Sequence, residues 1–392
     1  MSEGVLNGVR VLDFGQYIAG PFAAMLLAEQ GADVIKVERP GGDPMRGEDA
    51  FMVWNRSKKG ITLDLKKPEG LKIALGLAQK ADIIIENFKP GVADKLGIGY
   101  DKIKELNPRA VYCSISAFGA KGPYAGWQGY EQIVSTAASV YTEQGLATHP
   151  LYVVLPLASL YTAVDAAFDI VTGLCVRETT GRGQKIEASL FRSILSTFRQ
   201  FNVDFEGMFR APWGPTGPMP LYRPYQCKDG KWLFTALGNF KFFTQFALEM
   251  GHDEWLTDPL FEGAPFLIFP PRNAQVMALL KPIYKTKNRD EWLEQLGSQG
   301  IPVAPVQNVD DFMNYRQVIA NGMLQTVKEP KKGNVREMGI PVDVTGCPGK
   351  IKGPSPQPGQ HTREVLKELG YSAQDIKRLK REQAIKVAPR RK

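Results

Sequence analysis

Short apolar runs alternate with helical patterns through the first half of this 392-residue chain, and that alternation limits the fold more than any other feature. The runs cover residues 9–14, 34–38, 82–85 and 111–118. Strands that are apolar on both faces are covered by helices on both sides, as in parallel sheets. The sequence therefore predicts an α/β fold whose ligands bind at the carboxyl ends of the strands.

The helical stretches between these runs carry the end signals of real helices. Residues 21–30 form one predicted helix, because Pro21 stands at its first position and Gly31 lies just beyond its end. A second predicted helix begins at Lys67 and runs to residue 80. The loops that follow predicted strands, and so are candidates for ligand contacts, are 15–20, 39–47 and 87–91.

The second half of the chain differs from the first in composition and in its pattern of predicted elements. Residues 210–224 are rich in Pro and Gly, which predicts a connection between two structural units. The region after it opens with a predicted hairpin, in which Asp229 and Gly230 form the turn. Residues 321–358 are turn-rich, and a predicted pair of helices at 362–369 and 373–382 closes the chain.

The net charge of +8 is concentrated at the C-terminus. Residues 376–392 contain eight Lys or Arg and one Glu, a local balance of +7, so the remainder of the chain is close to neutral. This pattern predicts a solvated, frayed basic tail rather than an arm that binds a polyanion. The interleaved aromatic residues that single-strand binders use are absent from the sequence, so no nucleic-acid partner is expected.

Several other classes of protein are disfavoured by what the sequence lacks. No apolar run reaches the roughly 18 residues that a membrane span requires, and no signal peptide is predicted, so we expect a cytoplasmic protein with reduced cysteines. No metal and no permanently bound cofactor is expected, because no second ligand stands at metal-binding spacing from any of the three histidines. The nucleophile elbow GxSxG and the nucleotide motifs GxxxxGK[ST] and GxGxxG are also absent.

Five ordered segments resemble the family III CoA-transferases, the group that contains formyl-CoA and crotonobetainyl-CoA transferases. They read VLDFGQYIAGPFAAMLLAEQGADVIKVERPGGDPMR, NRSKKGITLDLKKPEG, DIIIENFKPGVADKLGIGY, NPRAVYCSISAFGAKGPYAG and TGRGQKIEASLF. The resemblance implies a Rossmann-like large domain with a parallel sheet, a smaller α+β domain, and a dimer of interlocked rings. In this chain it implies that residues 1–209 begin the large domain, 210–320 form the small domain, and 321–392 return to the large domain and end in the basic tail.

The resemblance also implies where coenzyme A (CoA), the substrate carrier, would lie. CoA bears a pyrophosphate and a 3′-phosphate, so cations and backbone donors are expected around it. The amide groups at the helix start near Pro21 favour an anion, and the planar guanidinium of Arg39 can stack on the adenine. The positions that match CoA-lining residues of the family are Ile18, Ala19, Arg39, Leu63, Lys66, Asn87, Phe88, Lys89, Lys95, Gln128, Gly129, Tyr130 and Glu131.

The family's aspartate nucleophile is missing from this chain. A count back from TGRGQ at residues 180–184 places the matching position at Ser159. A carboxylate is needed there because the intermediate must itself be an activated acyl group that CoA can attack again. No histidine base stands near Ser159 in the sequence, so we interpret Ser159 as the N-cap of the helix that follows. Tyr130 stands where the racemase branch has a histidine, which disfavours a racemase.

The helix after Ser159 has a helical stripe of apolar residues, which we expect to be its buried face. Asp165 and Asp169 fall on the flank of that stripe and are interpreted as polar-face residues. The residues of the stripe are Leu160, Val164, Ala167, Phe168, Val171, Leu174 and Cys175.

Two hypotheses of different classes follow. In the first, the chain is the non-catalytic subunit of a heteromeric CoA-transferase and pairs with a paralogue that retains the aspartate. This arrangement resembles the two-subunit succinyl-CoA:(R)-benzylsuccinate CoA-transferases, which implies succinyl-CoA as a donor and an aromatic succinate as an acceptor. In the second, the chain is an acyl-CoA-binding homodimer, or an active transferase that uses another acid, Asp165 or Glu131. The sequence leaves the acyl group open.

Overall fold

A computed structural model describes residues 4–145, 149–197, 205–207, 219–330 and 332–389. The chain divides into two compact units. The first unit comprises Met1–Ser139, Val153–Val203 and Ala320–Lys392, and the second comprises Val140–Tyr152 and Asp204–Ile319. The predicted small domain, 210–320, does not include the segment Val140–Tyr152. Most of the predicted connection at 210–224 lies outside the described residues.

The strands and helices are numbered in chain order. The strands are β1 (Arg10–Asp13), β2 (Asp33–Glu38), β3 (Lys59–Leu63), β4 (Ile83–Glu86), β5 (Val111–Ser116), β6 (Lys185–Ser189), β7 (Tyr222–Gln226), β8 (Trp232–Ala236), β9 (Val303–Val306), β10 (Leu324–Glu329), β11 (Gly333–Met338) and β12 (Ile385–Lys386). The helices are α1 (Ala19–Glu29), α2 (Ala50–Asn55), α3 (Pro68–Ala78), α4 (Val92–Lys95), α5 (Tyr100–Leu106), α6 (Glu131–Ala137), α7 (Val140–Gln144), α8 (Leu157–Thr180), α9 (Leu190–Thr197), α10 (Phe240–Glu249), α11 (Arg272–Tyr284), α12 (Arg289–Ser298), α13 (Val309–Met313), α14 (Arg316–Ala320), α15 (Thr362–Glu368) and α16 (Ala373–Arg381).

The first unit is built on a sheet with the strand order β12-β3-β2-β1-β4-β5-β6. Strands β1 to β6 are parallel, and β12 pairs antiparallel with β3 at one edge. The predicted α/β fold with a parallel sheet is confirmed. From β1 the chain proceeds to β2 on one side and later to β4 on the other, so the order reverses between β1 and β4. A crevice at the carboxyl end of the sheet is expected at this switch point.

Alternate residues of the strands point to opposite faces of the sheet, and helices cover both faces. On one face, side chains such as Leu12, Ile35 and Ile84 form a core with residues of α3, α5, α15 and α16. On the other face, α1 packs against α8 and against the central strands, and α8 packs against β5 and β6. The buried runs of the sequence are therefore explained by burial on both sides.

The C-terminal segment is ordered through residue 389, so the prediction of a frayed tail is wrong for these residues. Helix α16 begins with a capping box formed by Ser372 and Asp375, and it buries Ile376 and Leu379. Ile385 then pairs with Leu63 of β3. The basic side chains lie between these apolar anchors, which the charge count could not show. Residues 390–392 lie outside the described part of the chain.

The second unit contains an antiparallel sheet of order β7-β8-β9. The predicted hairpin is confirmed, because β7 pairs antiparallel with β8 and Gly230 has a φ of 76° in the turn between them. Aromatic rings fill the core of this unit, where Tyr225 stacks on Tyr284 with ring centroids 4.5 Å apart.

Among the described residues, one helix is long and apolar enough to cross a membrane by length and composition, namely α8. Core helices of water-soluble domains can have the same composition, and α8 buries Ala163, Ala166 and Ile170 within the protein.

Candidate functional site

A cavity of about 400 Å³ opens at the switch point, outside the carboxyl ends of β1 and β4. All the described segments that line it belong to the first unit. They are residues 16–19, 87–90, 115–117, 125, 127–132, 159 and 190. The loops that the sequence marked at 15–20 and 87–91 thus meet at one place.

Asn87 joins the two central loops of the cavity. Its side-chain oxygen accepts a hydrogen bond from the Gln16 amide at 2.8 Å, and its side-chain nitrogen donates to the Gln16 carbonyl at 2.7 Å. The Asn87 side chain therefore satisfies both backbone groups of one residue, as a neighbouring strand would. The predicted importance of Asn87 has this structural basis in addition to any contact with a ligand.

Two tyrosines form one wall of the cavity. Tyr17 and Tyr130 lie edge to face with ring centroids 5.6 Å apart, and a hydrogen bond between them, together with burial, raises the pKa of Tyr17. Tyr17 has a φ of 60°, which is uncommon for a bulky residue and costs conformational energy. The surroundings must therefore hold this loop in place.

Glu131 fixes the start of α8 beside the cavity. Its two carboxylate oxygens accept hydrogen bonds from the Ala158 amide at 2.9 Å and the Ser159 amide at 2.7 Å. The Ser135 hydroxyl donates to the same carboxylate at 2.8 Å. A negative charge at a helix start satisfies unpaired amides and interacts favourably with the helix dipole.

This geometry corrects the interpretation of Ser159. Helix α8 begins at Leu157 with Pro156 before it, so Ser159 is the third helical residue and not the N-cap. The cap is the carboxylate of Glu131, which lies 28 positions earlier in the chain. Local sequence signals could not reveal a cap supplied from so far away.

The expected buried stripe of α8 is wrong for several of its residues, although Leu174 is buried as expected. Phe168 is 70% exposed, Val164 is 51% exposed and Val171 is 38% exposed. The buried face instead carries small residues, because α8 lies close to the sheet: a Cβ atom on Gly173 would stand 3.0 Å from Val111 Cγ1. The buried residues of α8 are Ala158, Ser159, Thr162, Ala163, Ala166, Ile170, Gly173, Leu174 and Arg177.

The structure brings most of the predicted site residues together. The predicted residues that line the cavity are Ile18, Ala19, Asn87, Phe88, Lys89, Gln128, Gly129, Tyr130, Glu131 and Ser159.

Four other predicted residues do not line this cavity. Arg39, Lys66 and Lys95 are exposed, and their contact with CoA stays a prediction. Leu63 is 1% exposed and packs in the core of the first unit, in the strand beside β12, so its side chain belongs to the core and not to a ligand surface. Leu63 matched the family pattern at the end of β3, and that match carried no information about which way the side chain points.

Sequence reasoning missed several lining residues, including Gln16, Tyr17, Trp127 and Leu190. Gln16 and Tyr17 could have been found from their place directly after a buried strand. Trp127 and Leu190 lie beside or within segments that the resemblance marked, but no local pattern showed that their side chains face the cavity.

A second cavity, of about 380 Å³, lies next to the first and shares Lys89, Pro90 and Ser116 with it. Glu86, the last residue of β4, lines this second cavity. Burial raises the pKa of Glu86 to about 7, although hydrogen bonds from Ser114 and from the Phe88 amide, 2.8 Å away, oppose the shift. Glu86 therefore tethers the loop that carries Asn87.

Residues 6–362 match the family described as CoA-transferase family III. An acyl-CoA transferase of Fusarium pseudograminearum is 32% identical over 97% of this chain and 88% of its own length. The succinyl-CoA–L-malate CoA-transferase beta subunit of Chloroflexus aurantiacus is 30% identical over 97% of this chain and 98% of its own length.

The fold is similar to that of a solved CaiB/BaiF family protein from Brucella suis. The two share 29% sequence identity with a TM-score of 0.83, over 94% of this chain and 100% of the other. The match extends over both compact units of the chain.

Proposed function

This chain belongs to CoA-transferase family III, and from that premise we propose that it is a CoA-transferase subunit that binds an acyl-CoA in the switch-point cavity without supplying the nucleophile. One observation carries the proposal. Among the described residues that line the cavity, Glu131 is the only one with a carboxylate, and both of its oxygens are hydrogen-bonded to the start of α8. Ser159 occupies the position that the family resemblance assigns to the nucleophile.

The transfer reaction explains why a serine does not suffice. A carboxylate oxygen attacks the thioester carbon, the C–S bond breaks, and CoA thiolate leaves as a mixed anhydride forms. The thiolate then attacks the enzyme's carbonyl, releasing the first carboxylic acid and leaving CoA on the enzyme as a thioester. A serine would form an ordinary ester, and no histidine is among the described lining residues to accept its proton.

The cavity offers the groups that an acyl-CoA needs. Ile18 and Ala19, at the start of α1, line the same cavity as the exposed residue Lys89. In this proposal the thiol-bearing arm lies between these loops, and the phosphates extend along the same edge of the sheet towards Arg39, Lys66 and Lys95. Charge-assisted hydrogen bonds from Arg and Lys are the usual means of holding such phosphates.

The partner proposed here is a paralogue that bears the aspartate, in a dimer of interlocked rings. The exposed side chains of Val164, Phe168 and Val171 support it, because they form an apolar surface on α8 that water covers in the single chain. Relatives from Chloroflexus aurantiacus are named as the alpha and the beta subunit of a succinyl-CoA–L-malate CoA-transferase, which supports a two-subunit arrangement.

The substrates proposed are succinyl-CoA as donor and an aromatic succinate as acceptor, in a cytoplasmic enzyme. The aromatic rings of Tyr17, Trp127 and Tyr130 in the cavity wall favour an acyl group with a flat apolar part.

The alternative is a homodimer that binds acyl-CoA, or an active enzyme that uses Asp165 or Glu131. Neither Asp165 nor Asp169 lines the cavity. Repulsion from Asp165 adds to burial in raising the pKa of Asp169, and these two acids share the outer part of α8. Glu131 would have to leave three hydrogen bonds before it could attack a thioester.

Trapping of the covalent intermediate tests the proposal. The chain alone is incubated with an acyl-CoA and hydroxylamine, which converts an enzyme-bound anhydride or thioester into a hydroxamate. Mass spectrometry should find no modified residue in this chain. A hydroxamate on Glu131, Asp165 or Asp169 would show that the chain has its own nucleophile, and the alternative would replace the proposal.

A further inference from the structure

The loop that lines the cavity, Gly15–Tyr17, is held from below by charged side chains that no solvent reaches. Lys36 of β2, Asp43 and Asp13 are all buried, and Lys36 and Asp43 form an ion pair with 3.1 Å between Nζ and Oδ2. Buried ion pairs are costly to form, since each charge loses its water. Their arrangement under a ligand-binding loop therefore needs an explanation other than stability.

The charged groups and the neutral side chain of Asn87 together bind three consecutive positions of the loop. The ammonium of Lys36 donates to the Gly15 carbonyl at 2.8 Å, and the carboxylate of Asp13 accepts from the Gly15 amide at 2.8 Å. Asp43 accepts from the Tyr17 amide at 3.5 Å. Asn87 binds both backbone groups of Gln16 between them.

Lys36 is the residue that connects these contacts. It binds the loop directly through Gly15, and it also neutralises Asp43, which accepts from the backbone of Tyr17. Asp13 has a second cation, Lys58, at 2.8 Å, so the removal of Lys36 leaves Asp43 as the uncompensated charge. The strained conformation of Tyr17 and its contact with Tyr130 depend on this loop.

We propose that Lys36 is a positioning residue for acyl-CoA binding, because its ammonium group fixes the loop Gly15–Tyr17 in the conformation that lines the cavity. The inference rests on the proposed function, since it requires CoA to bind at this crevice. Lys36 is fully buried and does not line the cavity, so its effect on the ligand passes through the loop.

A second buried ion pair provides a matched control. Arg56 is also fully buried, and its Nη2 donates to Glu29 Oε2 at 3.2 Å, at the opposite end of α1 from the cavity. Arg56→Met and Lys36→Met each remove one buried cation. The first leaves two buried carboxylates, Glu29 and Glu337, and the second leaves Asp43. Both should lower the free energy of unfolding, so stability alone cannot distinguish the two sites.

CoA affinity distinguishes them. Calorimetry on the full chain, at a temperature where circular dichroism shows both variants folded, should give a Kd for CoA that is about tenfold to hundredfold higher in Lys36→Met, as for a misplaced binding loop. Arg56→Met should bind CoA as the unaltered chain does. If Lys36→Met does not fold, the double variant Lys36→Met/Asp43→Asn, which removes both charges of the pair, should show the same loss of affinity.

Two results would overturn the inference in different ways. Equal CoA affinity in the folded Lys36 and Arg56 variants, or in the double variant and the unaltered chain, would show that Lys36 only stabilises the fold. In that case Asn87→Ala, which removes a side chain from the cavity wall, should still weaken CoA binding, and the proposed function would stand. If the unaltered chain does not bind CoA at all, the premise fails and the inference fails with it.

Discussion

The switch-point cavity and the outer face of α8 lie in the same unit. They differ in whether this chain alone satisfies their polar groups and covers their apolar ones. At the cavity, the polar backbone groups of residues 15–17 are satisfied by side chains of this chain, and the start of α8 is capped by Glu131. On the outer face of α8, Phe168 and Val164 are mostly exposed, and the described residues include no group that covers them.

This difference indicates which part of a CoA-transferase the chain can supply by itself. The loops that line the cavity are held by hydrogen bonds within this chain, which is how a site of the proposed kind is preorganised before its ligand binds. Exposure of the apolar side chains of α8 to water is unfavourable, and burial against a partner would remove that cost. Binding and catalysis can therefore be separated by experiments that act on one region and not the other.

The largest effect is expected from a charge on the apolar face of α8. Phe168→Asp should abolish stable association with the proposed partner, because the exposed ring, which would be buried on assembly, is replaced by a charge that must lose its water. Analytical ultracentrifugation of the co-expressed chains measures the association. Phe168→Leu, which stays apolar, should retain the complex. Equal association of both variants would mean that the partner binds elsewhere.

A smaller effect is expected at the start of α8. Glu131→Ala removes the acceptor of two helix amides and should lower the free energy of unfolding by about 3–6 kcal/mol, since each charge-assisted hydrogen bond contributes about 1.5–3 kcal/mol. Urea denaturation gives this value. Glu131→Gln keeps one oxygen acceptor and should lose less. A loss of all activity with unchanged stability in Glu131→Gln would instead identify Glu131 as a reacting group.

The smallest effect concerns the pH dependence of stability, and it tests whether Glu86 is shielded from water. The folded pKa of Glu86, about 7, lies above the usual 4.5, so the proton stabilises the native state. This contribution is present below pH 4.5 and is lost as the pH rises through 7. From pH 5 to pH 8 the unaltered chain should lose about 2 kcal/mol of stability that Glu86→Gln does not lose, since each pKa unit corresponds to about 1.4 kcal/mol. Parallel pH dependence in both proteins would place Glu86 in contact with water.

The sequence predicted the sheet well because buried parallel strands leave a strong local signal. Strands β1, β2, β4 and β5 were all located from continuous apolar runs. Strands β3 and β6 were missed, because polar residues interrupt their apolar ones. Strand β12 was also missed, because two residues in a basic segment carry no such signal. Its pairing with β3 depends on contacts more than 300 residues apart along the chain.

The candidate site was predicted only in part, for two physical reasons. Helix α8 has apolar residues on two faces, and the sequence pattern led us to predict that the larger ones are buried. The face that packs closely against the sheet instead carries small residues such as Gly173. The roles of Glu131 and Lys36 depend on hydrogen bonds to distant segments, which no local pattern encodes. The loops at residues 15–20 and 87–91 were found because their place after parallel strands fixes them at one edge.

The most direct test of the missing nucleophile is CoA transfer by the chain alone and with an aspartate-bearing paralogue. We expect no transfer by the purified chain, and turnover by the co-expressed complex that disappears when the partner's aspartate is replaced by alanine. Ser159→Ala in this chain should leave that turnover nearly unchanged, because Ser159 contributes its amide, and not a hydroxyl cap, to the helix start. Transfer by the lone chain at an ordinary enzymatic rate, or a loss in Ser159→Ala as large as the loss of the partner's aspartate, would contradict the account.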